Sequence, residues 1–104
     1  MTDIQQHYQE VAVVLASHAP DGWRKVWVDA EILDDWAKQT FDYVRSDGEE
    51  HWMEISDSAQ RDIVLDNLRA VREQMSVQDE QKWKSVRFTV EPSGKFYTEF
   101  KYDD

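Results

Sequence analysis

The chain has 104 residues, among them five Trp, four Tyr and four Phe, and carries 22 Asp and Glu against 12 Lys and Arg, a formal net charge of −10. That length suits one domain, 1–104, and the aromatic share supplies a core from few positions, which argues against disorder over most of the chain. So negative a surface repels phosphate backbones and anionic headgroups, which disfavours direct nucleic-acid or membrane binding and points to a basic protein partner, although solubility alone would also account for it.

Cysteine is absent, so disulfides, thiolate zinc sites and cysteine nucleophiles are excluded. The segment MTDIQQ at the start has no basic stretch leading into an apolar one, and no apolar run approaches the ~20 residues that cross a bilayer. A cytoplasmic protein is expected.

Taken in chain order, Ile4, Tyr8, Val11, Leu15 and His18 recur at steps of four and three, the mark of one apolar helix face. Thr2 and Gln5 have the spacing of a capping box, and Pro20 with Asp21-Gly22 ends the helix near Ser17 or His18. Trp23 to Glu31 alternates as a strand, with Val26, Val28 and Ala30 on one face and Trp27, Asp29 and Glu31 on the other. Residues 32–38 read as a connection, followed by a second strand from Gln39 to Arg45, an Asp47-Gly48 turn and a short third strand from His51 to Ile55.

Ser56 or Asp57 suits a helix N-cap, and Val64, Leu68, Val71 and Met75 form the inward stripe of the helix that follows. Ser76 to Gln81 lacks any period and reads as a link. Trp83 to Val90 and Lys95 to Tyr102 alternate around Glu91-Pro92-Ser93-Gly94, whose Pro and Gly suit a turn, so a β-hairpin closes the chain. The expected fold is α+β in the order α-β-β-β-α-β-β, with two helices on an antiparallel sheet of about five strands.

Chemistry is sparse. His7, His18 and His51 form no His-x-x-x-His or Glu-x-x-His pair, and the first two lie three helical turns apart. Gly22, Gly48 and Gly94 are each isolated, so no phosphate loop can be built, and no Gly-x-Ser-x-Gly elbow or calcium loop is present. No catalytic residue, metal or cofactor is expected. Asp29 and Glu31, on one strand face, could accept an Arg or Lys from a partner, or form an ordinary solvated face. Trp27, Trp36 and Trp52 are candidates for the outside, where indoles anchor interfaces, whereas Trp23 and Trp83 suit the core.

The segments WRKVWVDAE at 23–31, FDY at 41–43, KWKSVRFTV at 82–90, Ser93-Gly94-Lys95 and FYTEFKYDD at 96–104 together resemble the YezG-like immunity proteins, antitoxins of bacterial polymorphic toxin systems. The resemblance follows the element order over nearly the whole length, with a shorter first strand connection and a shorter 46–57 segment than in many relatives. It implies a protein that binds and neutralises a cognate nuclease toxin domain, such as that of a contact-dependent inhibition system or a related secreted effector. The contact surface expected for that role comprises Trp27, Asp29, Glu31, Asp34, Asp35 and Trp36, with the tail Tyr102, Asp103 and Asp104. The free protein is expected as a monomer or weak dimer. A general acidic adaptor or nucleic-acid mimic with many basic partners is the alternative, and a small hydrolase a more distant one.

Overall fold

The computed structural model describes residues 4–79 and 82–102. Two helices and five strands follow in the expected order: α1 (Ile4–His18), β1 (Trp23–Ile32), β2 (Ala37–Arg45), β3 (Glu50–Met53), α2 (Ser58–Asp79), β4 (Ser85–Val90) and β5 (Phe96–Lys101). The strands make one antiparallel sheet in the order β3-β2-β1-β4-β5. The meander β1–β2–β3 and the hairpin β4–β5 are thus joined through β1, and α2 carries the chain from one edge back to the middle.

In α1, Val11, Val14 and Leu15 are buried at spacings of three and one, the inward stripe of a helix. In α2, Val64, Leu68 and Val71 are fully buried. Both stripes meet the inner face of the sheet, built by Val26, Val28, Ala30 and Ile32 of β1, Phe41 of β2, Met53 of β3 and Val86, Phe88 and Val90 of β4. Trp83 closes the core beside Phe100, ring centroids 5.3 Å apart. Trp23 is half-buried against the same cluster.

Several boundaries differ from the sequence reading. β1 runs on to Ile32 and β2 begins at Ala37, so the expected connection shrinks to the turn 33–36, closed by the Leu33 N–H donating to the Trp36 carbonyl at 2.7 Å. β3 spans Glu50–Met53, with Ile55 buried in the core beyond its end. α2 continues through the polar stretch to Asp79, where a link was expected after Met75. Its start is as anticipated: Asp57 caps it, with Oδ1 accepting the Ala59 N–H at 2.9 Å. The hairpin turn also holds, with Gly94 at a φ of 94° and its N–H donating to the Glu91 carbonyl at 2.9 Å. Thr2, of the expected capping box, lies outside the described residues.

Candidate functional site

Because both helices pack on one side, the opposite side of the sheet has no covering layer among the described residues. Antiparallel sheets tolerate this when the outer residues are polar, and most here are. The registers fix who sits beside whom. One row across the sheet reads Trp52, Asp42, Trp27, Thr89, Tyr97. The next reads Thr40, Asp29, Arg87, Glu99, and the one beyond it Lys38, Glu31, Ser85, Lys101. Side chains directly opposite one another stand about 4.5–5.5 Å apart at Cβ, so each row is a contiguous strip.

The first row carries the aromatic anchors. Trp52 is 69% exposed and Tyr97 50% exposed, both large apolar groups on a solvated face. Trp27 shares their face but is only 7% exposed. Part of its cover is the Arg87 guanidinium, 5.5 Å from its ring centroid. That same guanidinium grips Asp29 with two hydrogen bonds, Nε to Oδ1 at 2.7 Å and Nη2 to Oδ2 at 3.0 Å. The bond to Asp29 is the first reason the Arg87 pKa is raised. A cation held over an indole and fork-on to a carboxylate combines two favourable interactions.

Asp42 stands between Trp52 and Trp27, and differs from Asp29 in having no hydrogen bond or ion pair among the described residues. Its pKa is raised, first by burial and then by the Asp29 carboxylate, with Glu50 adding to the effect and Arg87 opposing it. The segment 42–54 around it is acidic: Asp42, Asp47, Glu49, Glu50 and Glu54 accompany a single arginine, Arg45. The far end of the outer face, with Lys38 and Lys101, is mixed in sign.

The expected contact residues are therefore dispersed. Trp27, Asp29 and Glu31 do share the outer face, Glu31 exposed opposite Lys38, but Asp29 is already engaged by Arg87 and Trp27 is buried. Asp34, Asp35 and Trp36 lie in the 33–36 turn, Asp35 exposed and Trp36 47% exposed. Asp34 is drawn toward α2, where the buried Arg72 donates Nη1 to its Oδ1 at 3.1 Å and Lys82 approaches at 3.5 Å. The hydrogen bond from Arg72, then the charges of Lys82 and Arg72, hold its pKa below the usual aspartate value. Tyr102 is half-buried against the hydrophobic core and is the second cause, after burial, of the raised Tyr8 pKa. Asp103 and Asp104 lie outside the described residues.

The sequence reading missed Asp42 and Tyr97 as surface candidates and did not connect Trp52 to either. Alternation within FDY and HWM already placed Asp42 and Trp52 on outward positions, but only the register of three strands brings them together. The histidines are scattered: His7 bonds the Asn67 side chain at 2.6 Å, His18 contacts the Val14 carbonyl at 2.9 Å, and His51 stacks on Tyr43. Among the described residues no group of three His, Asp or Glu is placed to hold a metal, and no helix is long and apolar enough to cross a membrane.

An uncovered sheet face with exposed indole and phenol rings beside acidic groups is suited to binding a protein. The immunity protein YezG of Bacillus spizizenii (strain ATCC 23059 / NRRL B-14472 / W23) is 21% identical over 109 residues, covering 93% of this chain and 67% of that protein. The family model for immunity protein YezG-like matches residues 4–104. With all but the first three residues inside that match, the chain belongs to the YezG-like immunity protein family.

Proposed function

We propose that this protein neutralises a nuclease toxin domain of a contact-dependent or related secreted effector, acting in the cytoplasm by stoichiometric binding and without catalysis of its own. Membership of an immunity family supplies a cognate toxin as the partner. The nuclease assignment rests on one observation: a net charge of −10 accompanied by exposed aromatic anchors on the uncovered sheet face. A nuclease presents cations to phosphates, and an acidic, aromatic-bearing surface is complementary to such a site. The Asp35 and Trp36 turn, at one end of the sheet, would extend the contact.

A nucleic-acid mimic acting on many basic proteins would need a regular array of carboxylates. The outer face instead interleaves Lys25, Lys38, Arg87 and Lys101 with its acids, which favours one matched partner. The test is co-expression with the product of the adjacent upstream gene. Growth arrest by that product alone, nucleic-acid cleavage by it in vitro, and rescue of both by this chain are the expected results. A toxin whose lethality this chain relieves while nucleic acids stay intact would overturn the nuclease assignment, and recovery of many unrelated basic proteins in a pull-down would favour the mimic.

A further inference from the structure

The outer face already contains one occupied cation seat. Trp27 and Asp29, two residues apart on β1, hold Arg87 over the ring of one and against the carboxylate of the other. One strand further out, Trp52 of β3 stands directly opposite Asp42 of β2, offering the same two groups with no arginine of this chain between them. Trp52 is the most exposed aromatic side chain described, at 69%. The favourable charge that reaches Asp42, Arg87, is committed to Asp29.

We infer that Trp52 and Asp42 form a receptor for an arginine side chain of the partner toxin, which would lie on the Trp52 ring and hydrogen-bond the Asp42 carboxylate as Arg87 does with Trp27 and Asp29. The inference rests on the proposed binding of a basic protein surface and names where that surface is anchored. Charge complementarity selects the occupant. The segment 42–54, which bears both residues, holds five carboxylates against one arginine, so an incoming cation is attracted there more than to the end of the face that carries Lys38 and Lys101. A guanidinium fits better than an ammonium, because it is planar, stacks on indole and can donate two parallel hydrogen bonds to one carboxylate.

The seat is testable without the toxin. A fluorescein-labelled tetra-arginine peptide is titrated with the full chain by fluorescence polarisation, with a tetra-citrulline peptide as the neutral isostere. Binding of the arginine peptide and none of the citrulline peptide is expected. Trp52→Ala and Asp42→Asn should each weaken binding about tenfold or more, with Trp52→Phe intermediate. Glu10→Gln, which removes the same charge from α1, should change it by less than about twofold. Equal losses for Asp42→Asn and Glu10→Gln, or an unchanged Kd for Trp52→Ala in a variant that retains the wild-type circular dichroism, would overturn the seat. So would absence of binding by the wild-type chain. These outcomes leave the growth-rescue experiment untouched: rescue with a failed peptide test would reject this seat and keep the immunity reading, whereas loss of rescue would reject the reading itself.

Discussion

Asp42 is a carboxylate in surroundings that penalise its charge. Burial leads the effect, the neighbouring Asp29 carboxylate follows, and together they raise its pKa in the folded protein above the ordinary aspartate value. A raised folded pKa means that its contribution to stability is fully present below the unfolded value near about 4 and is lost as pH rises through the folded value. At neutral pH the charged side chain therefore works against folding. Asp42→Asn is expected to raise the melting temperature near neutral pH, and to flatten the fall in stability that accompanies a rise in pH from about 4. Thermal melts of both proteins across that range check it, and a lower Tm for the variant at neutral pH would contradict it. The same substitution should weaken binding of the arginine peptide, so stability and recognition would move in opposite directions, as expected where a site holds a destabilised group for use. Nothing local in the sequence separates Asp42 from Asp29 or Asp34. Their different states depend on arginines 58 and 38 residues distant along the chain, Arg87 for Asp29 and Arg72 for Asp34, which spacing within a strand or turn cannot disclose.

At the scale of elements, α2 acts as a clamp on the β1–β2 turn. Arg69 donates to the Leu33 carbonyl at 3.4 Å, and Arg72 donates Nε to the Trp83 carbonyl at 2.7 Å and Nη1 to Asp34. Lys82 bridges Asp34 and Glu73 at 3.5 and 3.1 Å. This network explains why the sequence reading found a connection here but made it longer than the turn. ILDDWA at 32–37 has neither Gly nor Pro, the usual markers of a tight reversal, and its shape is imposed by a helix that arrives later in the chain. The polar end of α2 was hidden for a related reason: beyond Met75 no apolar period marks the helix. The β4–β5 hairpin, by contrast, was legible because alternation and turn residues agree locally, and the inward faces of β1, α1 and α2 followed from periodicity alone. The clamp yields its own prediction. Arg72→Ala leaves the buried Trp83 carbonyl without its donor and strips a packed stem from the core, and should cost about 1–3 kcal/mol in urea denaturation. Asp34→Lys should lower stability too, since it replaces the partner of Arg72 and Lys82 with a like charge, whereas Asp35→Lys, with no ion pair among the described residues, should leave it nearly unchanged. Equal stabilities for the two lysine variants would remove Asp34 from the clamp. A binding defect in Asp34→Lys thus needs comparison with Asp35→Lys before it is assigned to the interface.

Across the whole molecule the excess negative charge is unevenly spread, and that polarity governs how a basic partner would approach. The segment 42–54 gathers five carboxylates against one arginine, while Lys38 and Lys101 lie at the other end of the outer face. Exposed charges of this kind act over a distance of about 8 Å at physiological ionic strength, so they steer the encounter more than they hold the complex. Short-range contacts at Trp52 and Asp42 would instead govern dissociation, since truncating a central aromatic or a paired charge acts mainly on residence time. The two contributions can be separated kinetically. Raising salt from about 50 to about 500 mM should slow association with the toxin domain by about tenfold or more while changing dissociation far less. Neutralising Asp47 and Glu49 together should reproduce part of that slowing at low salt, and Trp52→Ala should leave the association rate within about threefold while speeding dissociation. An association rate indifferent to salt would remove steering from the account, and would leave the outer face to recognise its partner by shape and stacking alone.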